Sequence, residues 1–356
     1  MVESRWLRWI GPGLIALGGV GAIVSTASGG ARLQPWATTT CTDEPAAVQG
    51  GIGPDVWFEL EPQLDGDGAL RGQRLTLSEM DGTVVRAMDL PAESFAAGPF
   101  GGVVLVGADD GALSRVDMLD VERDCWSPLD ETRSIVRRAT LDEARGGIIE
   151  MRVDRASRED LGIWFRPLDG RGAARRILGP IEADARFGRT WSTEFAWDAA
   201  RGRLAIQSCG EAACRTRILA PDTGATLMID QPDLGLLLGV DDQRVITYGA
   251  CLGLPCPVVS TDVISGDRVL LVGEAGAAAL VGSGDDQRLV YEADSAAGRT
   301  LRSVSLGGGQ PTDLGHVTGD LRLMTSPGQP DNNRLDRPRL RHMTGGRTVL
   351  LSETLR

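Results

Sequence analysis

Cys209-Gly-Glu-Ala-Ala-Cys214 and Cys251-Leu-Gly-Leu-Pro-Cys256 repeat one pattern, two cysteines with four residues between them, at an offset of 42 residues. The turns that follow, Asp222-Thr223-Gly224 and Ile264-Ser265-Gly266, keep that offset. A third copy carries Ala293 to Gly298 in place of the cysteine pair and Gly308 in place of the turn glycine, another 42 residues on. A β-rich segment precedes each loop: Leu204-Ala-Ile-Gln-Ser208, Arg244-Val-Ile-Thr-Tyr248 and Arg288-Leu-Val-Tyr291. Another follows it: Arg215-Thr-Arg-Ile-Leu219, Pro257-Val-Val-Ser260 and Leu301-Arg-Ser-Val-Ser305. A period near 42 built from short strands is the length of one four-stranded propeller blade, in which these segments are the second and third strands, b and c.

Less regular copies extend outward from this core. Strand b is expected near Val56, Val103, Ile148, Leu204, Val245, Leu289 and Leu321. The turn between strands c and d is expected near Asp81-Gly82, Glu122-Arg123, Asp169-Gly170, Gly224, Gly266, Gly308 and Gly345-Gly346. Seven copies over residues 52–356 predict an all-β, seven-bladed β-propeller, with six or eight blades as alternatives. One blade cannot cover its own apolar faces, so neighbours and ring closure must do so.

The other end of the chain carries an address. Arg5 and Arg8 precede an uncharged run from Trp9 to Ala31, long enough to cross a bilayer as a helix. Its most apolar part, Leu14 to Val24, has the length of a secretory h-region, and small residues at Ser25-Thr26-Ala27 and Ala27-Ser28-Gly29 suit a signal peptidase. Residues 1–31 are thus expected to be a signal peptide or an N-terminal hydrophobic helix that anchors the chain, with its N-terminus inside and the remainder outside. Residues 32–51, with Pro35, Pro45 and Gly50-Gly51, read as an extracytoplasmic linker. The protein is therefore expected outside the cytoplasm, at the cell membrane or secreted.

Export gives the six cysteines a meaning. Cys209 with Cys214 and Cys251 with Cys256 face each other across short hairpins, which suits the narrow geometry of a disulfide. Cys41 and Cys125 then pair by exclusion. A structural zinc site would have closer ligand spacing and usually a histidine, so no metal is expected.

Composition removes other classes. The chain has 37 Arg and no Lys against 49 acidic residues, a formal charge of −12, and no segregated basic stretch appears in the linear sequence. Nucleic acid is excluded as a general partner. Without Lys there is no P-loop and no Schiff base. The serine-hydrolase elbow is missing, and the two histidines, His316 (read as a loop residue) and His342 (read as a strand residue), leave a Ser-His-Asp triad little material. No catalytic residue, cofactor or metal ligand is assigned.

The segment Asp160-Leu-Gly-Ile-Trp164 followed by Leu168-Asp169-Gly170, together with Trp197-Asp198-Ala-Ala-Arg-Gly-Arg-Leu-Ala205, resembles the repeats of TolB-like and other WD40-like bacterial propellers. The resemblance covers residues 52–356. It is degenerate, because Asp241-Asp242-Gln243 and Asp285-Asp286-Gln287 stand where the family has Ser-Pro-Asp-Gly. It implies the fold and transfers no functional residue.

Loops carry the remaining clues. Asp65-Gly66-Asp67-Gly68 has the start of a calcium loop but no distal Glu, and reads as an acidic turn. Asp154-Arg155 and Glu159-Asp160 read as a solvated hairpin tip with internal ion pairing. The longest b–c connections are Pro62 to Gln73 and Thr325 to Arg337, which ring closure makes neighbours. Asp65, Asp67, Asp331, Arg334, Asp336 and Arg337 are therefore expected to form a polar recognition rim. The function expected is a non-enzymatic docking module for another envelope protein or a small ligand. The alternative is a carboxylate- or metal-dependent hydrolase or lyase acting on polysaccharide.

Overall fold

The computed structural model of the chain describes residues 40–41 and 56–350, apart from 80–82, 101–102, 110, 122, 130–131, 169–171, 181–190, 199–200, 210–213, 230–234, 236, 250–254, 282–286, 296–297, 317–340 and 345–346. The expected N-terminal helix, residues 9–31, lies outside this range. Among the described residues no helix is long and apolar enough to cross a membrane, and the one helix is a 3-10 turn, Glu143–Arg145.

The named strands among the described residues form antiparallel sheets in chain order. β1 (Val56–Leu64), β2 (Leu70–Glu79) and β3 (Val84–Pro91) form a three-stranded first sheet. Four-stranded sheets follow: β4 (Ser94–Phe100), β5 (Val103–Asp109), β6 (Ser114–Asp120) and β7 (Cys125–Pro128) in the second, then β8 (Ile135–Asp142), β9 (Gly147–Val153), β10 (Asp160–Pro167) and β11 (Arg175–Leu178) in the third. The fourth holds β12 (Trp191–Asp198), β13 (Arg203–Cys209), β14 (Cys214–Ala220) and β15 (Ala225–Ile229). The fifth holds β16 (Leu237–Asp241), β17 (Arg244–Tyr248), β18 (Cys256–Asp262) and β19 (Arg268–Ala275). The sixth holds β20 (Ala278–Val281), β21 (Arg288–Ser295), β22 (Gly298–Ser305) and β23 (Thr312–His316), and a hairpin of β24 (Arg341–Thr344) and β25 (Arg347–Leu350) ends the series. The first strands of consecutive four-stranded sheets neighbour one another, so the sheets radiate from an inner row of strands. This is β-propeller architecture.

The second strand of each sheet shows why the sequence folds this way. Val103 to Val106, Ile148 to Ile149 and Leu204 to Ile206 are fully buried along unbroken runs, because neighbouring sheets cover both faces. Leu204 and Ile206 pack toward Ile149, Met151, Ile163 and Phe165 of the third sheet, while Ala205 and Ile218 pack toward Val240 and Val245 of the fifth. The 42-residue spacing has a backbone cause as well. Gly224, Gly266 and Gly308 close the last hairpin of successive sheets with φ of 72°, 76° and 86°, a region that glycine enters without steric cost.

Side chains also clamp the connections between sheets. Gln73 Nε2 donates to the carbonyls of Ala92 (2.7 Å) and Ser94 (2.8 Å), Gln207 Nε2 to Gly235 (2.7 Å), and the Tyr248 hydroxyl to Gly276 (2.9 Å). Gln207 and Tyr248 stand 41 residues apart, as do Gly235 and Gly276, so the clamp belongs to the repeat.

Two expectations change, and the expected pairing of Cys41 with Cys125 is present. Pro62 to Gln73 is not a long loop: Pro62 pairs with Gln73 and the strands run on to Leu64 and Leu70. Asp65 makes this possible, since its carboxylate accepts from the Asp67 and Ala69 N–H groups and from Arg71, which closes a tight turn. His316 ends strand β23 and does not sit in a loop. In the linker, Thr40 forms a parallel bridge with Trp126, Cys41 N–H donates to the Trp126 carbonyl at 2.8 Å, and Cys41 is disulfide-bonded to Cys125. The linker is therefore fastened to the outer strand of the second sheet. Cys256 is also disulfide-bonded, Cys209 and Cys214 are paired in register at the end of their hairpin, and Cys251 lies outside the described residues.

Candidate functional site

In a meander of four strands the second–third turn and the link to the next sheet leave at the same end. Three such segments converge: Ala92–Glu93 between the first and second sheets, the β5–β6 turn and the β9–β10 turn. Between them is a cleft of about 400 Å³ lined by Ala92, Glu93, Asp109, Gly111, Arg155 and Arg158.

The β9–β10 turn is built around Asp154. Its carboxylate accepts from the N–H groups of Ala156 (3.0 Å) and Ser157 (2.8 Å), which hold it below the usual carboxylate pKa. This fixed turn projects two arginines outward from the third sheet. Arg155 meets Asp109 of the second sheet with both terminal nitrogens at 2.6 Å, and its Nε donates to the Arg133 carbonyl at 3.0 Å. Asp109 accepts further bonds from Gly111 N–H and Ser114 Oγ. Burial alone would raise its pKa, but Arg155, Ser114 and Gly111 together bring it below the ordinary value. Arg158 adopts φ of 61°, a left-handed conformation that costs a non-glycine residue about 1 kcal/mol. From there it reaches Glu93 with two bonds of 2.8 and 2.9 Å, and these raise its own pKa.

Arg137 stands on the inner strand β8 and is not among the residues that line this cleft. Val136 pairs with Arg152 and Arg138 with Met151, so Arg137 bulges between them. Burial lowers its pKa, Glu93 opposes that, and Arg158 and Arg138 add repulsion.

The expected internal ion pairing of the Asp154–Asp160 tip is thus corrected. Its arginines pair with Asp109 of the second sheet and with Glu93 of the link before it, 46 and 65 positions away, and Asp160 is buried. Turn spacing gave no sign of that. Among the sequence-predicted rim residues, Asp65 caps its own turn and Asp67 is exposed. Asp331, Arg334, Asp336 and Arg337 lie outside the described residues. No group of three or more potential metal ligands occurs among the described residues.

No family model matches the chain, and no curated protein does. Among solved structures it is similar to TolB from Acinetobacter baumannii, at 10% identity over 90% of this chain and 85% of that one, with a TM-score of 0.43. It is similar to a prolyl endopeptidase at 12% identity over 84% of this chain and 48% of that one, with a TM-score of 0.51. Oligopeptidase B from Trypanosoma brucei with covalently bound antipain matches at 12% identity over 83% and 47%, with a TM-score of 0.48. The chain spans about half the length of these two peptidases. At such identities the likeness is one of fold, shared with the prolyl endopeptidase over most of this chain.

Proposed function

We propose that the chain is a non-enzymatic β-propeller, exported or anchored by residues 9–31, that docks an envelope protein or small ligand on the face carrying the cleft. The observation that supports this reading most is that both cleft carboxylates are engaged. Glu93 gives both oxygens to Arg158, and Asp109 is held below its ordinary pKa. A general acid needs the opposite shift, and a nucleophilic carboxylate needs a free oxygen. What results is a rigid charged surface that ties three sheets together, the kind of surface that gives recognition its specificity. The disulfide of Cys41 and Cys125 supports an oxidising compartment. Seven blades remain the preferred count, with β24 and β25 in the last copy. The rim residues Asp65, Asp67, Asp331, Arg334, Asp336 and Arg337 would extend the same docking face.

A photo-crosslinking side chain placed at Ala156, on this face, should capture one defined envelope partner or ligand. The same group at Asp222, in a turn of the opposite face, should not. Equal capture from both positions, or none from Ala156, would remove the docking reading.

A further inference from the structure

Among the described residues the first sheet lacks its innermost strand. In each four-stranded sheet the fourth strand runs into the link that opens the next inner strand. β3 enters β4 through Ala92 and Glu93 alone, a step of at most about 11 Å against the roughly 24 Å that the seven residues of β4 cover. β3 therefore ends where β4 begins and runs antiparallel to it, which in this meander is the direction of second and fourth strands. Its neighbours fix which. Arg86 of β3 pairs with Asp124 and lies 5.8 Å over the ring of Trp126, on the outermost strand of the second sheet. So β3 holds the fourth position, β2 the third and β1 the second. Burial shows the same shift. Leu105, Ile149 and Ile206, on the second strands of complete sheets, are fully buried, as are Leu75 and Leu77 of β2. Phe58 and Leu60 of β1 are only partly buried. Ser94, on the face of β4 that turns Ala96 toward the first sheet, is buried with its Oγ unpartnered among the described residues. An unpaired strand edge beside partly covered apolar side chains and an unpartnered hydroxyl is a seat for one more strand.

We propose that residues 353–356, Glu-Thr-Leu-Arg, pair antiparallel with the inner edge of β1 and so tie the last copy to the first sheet. In the seven-copy reading Gly345-Gly346 joins strands c and d, which makes β25 a fourth strand. The shortest links from a fourth strand to the next inner one have two residues, Ala92 with Glu93 and Gly276 with Ala277. Leu351 and Ser352 give such a link, and Glu353 to Arg356 match the four residues of the inner strand β20. Alternation fits as well. With Leu355 opposite Leu60, Leu355 joins the apolar face of Phe58 and Leu60, while Thr354 and Arg356 fall on the face of the exposed Glu61. Glu353 then stands opposite Pro62, which pairs with Gln73, whose side chain donates to the Ser94 carbonyl. The Glu353 carboxylate can there accept from the Ser94 hydroxyl. Residues 42–55 suit the seat less, because they include Pro45, Pro54, Gly50, Gly51 and Gly53, which strands avoid.

The test is amide hydrogen exchange of the full chain and of a chain ending at Leu350, read on peptides covering residues 56–64. Exchange there should be about tenfold slower in the full chain, while residues 103–109 of the second sheet exchange alike in both and report that the body is folded. Leu355→Asp should speed exchange over 56–64 as the truncation does, and Leu355→Ile should not. Equally fast or equally slow exchange over 56–64 in the two chains overturns the closure. Glu61→Cys combined with Thr354→Cys should form a disulfide within a single chain, located by mass mapping. The same bond formed between two chains would assign the edge to a second copy and overturn the proposal. The closure does not depend on what docks at the cleft, so protection of β1 and capture from Ala156 stand or fall separately.

Discussion

Arg217 and Asp160 face each other at 4.0 Å between the third and fourth sheets, with side chains 8% and 1% exposed. Arg217 Nη1 donates to the Gly179 carbonyl at 2.8 Å, and Asp160 Oδ1 accepts from Gly162 N–H at 2.8 Å. Arg217 Nε and Nη2 and Asp160 Oδ2 have no hydrogen-bond partner among the described residues, and burial lowers the Arg217 pKa against the pull of Asp160. Removing one charge of a buried pair strands the other. Asp160→Asn should therefore cost about 3 kcal/mol in urea unfolding, and adding Arg217→Met should recover most of that loss. Asp109 makes a different prediction. Its folded pKa lies below the ordinary 3.8, so its contribution is present above that value and is lost as the pH falls through the depressed one. The stability gap between the native chain and Asp109→Asn, on the order of 2 kcal/mol at neutral pH, should close in acid. A gap that does not narrow as the pH falls below the ordinary carboxylate range would contradict the pairing. Neither pair was legible in the sequence, since Asp160 with Arg217 and Asp109 with Arg155 are joined by tertiary packing and by no local pattern.

Hairpins were the legible elements. The expected second strands at Val103, Ile148, Leu204, Val245 and Leu289 fall in second strands of observed sheets, and Val56 opens the first strand described in its sheet, because both partners of a hairpin and its turn glycine lie within a short stretch; Leu321 lies outside the described residues. First strands and inter-sheet connections carried no comparable signal. They are short, and the side chains that hold them, such as Gln73 and Gln207, come from another strand. The Cys41–Cys125 pair was legible by exclusion, whereas the bridge of Thr40 with Trp126, far along the chain, left no local signal. The Cys41–Cys125 disulfide closes a sequence separation of 84, for which the loop-entropy relation gives about 4.5 kcal/mol. Replacing both cysteines with serine should lower the unfolding free energy in urea by roughly that amount; an unchanged unfolding midpoint would contradict the tie between residues 40–41 and the second sheet.

At the scale of the molecule the two ends of the array differ. The far face of the first sheet carries Glu61, Arg74, Ala87 and Asp89, all exposed, with Arg74 paired to Asp89 at 3.1 Å. The far face of the sixth sheet is apolar and covered: Ala279, Val281, Val290 and Leu301 are buried, with Leu314 against them. A sheet face of that composition requires a neighbour, whereas the polar face of the first sheet is stable in water. In the seven-copy reading such a neighbour for the sixth sheet would come from the segment that contains β24 and β25. They gave no warning that the first sheet would be solvated on its outer side, because alternation in β1 to β3 reveals one buried face but not which sheet will meet the other. Deleting residues 317–356 should therefore uncover apolar surface at one end only. The shortened chain should bind a hydrophobic dye, and its melting temperature should fall. Val290→Asp in the full chain should reproduce the destabilisation, while Asp89→Ala, on the polar end, should have little effect. If Val290→Asp were as mild as Asp89→Ala, no sheet would cover the sixth, and the seventh copy would have to lie elsewhere.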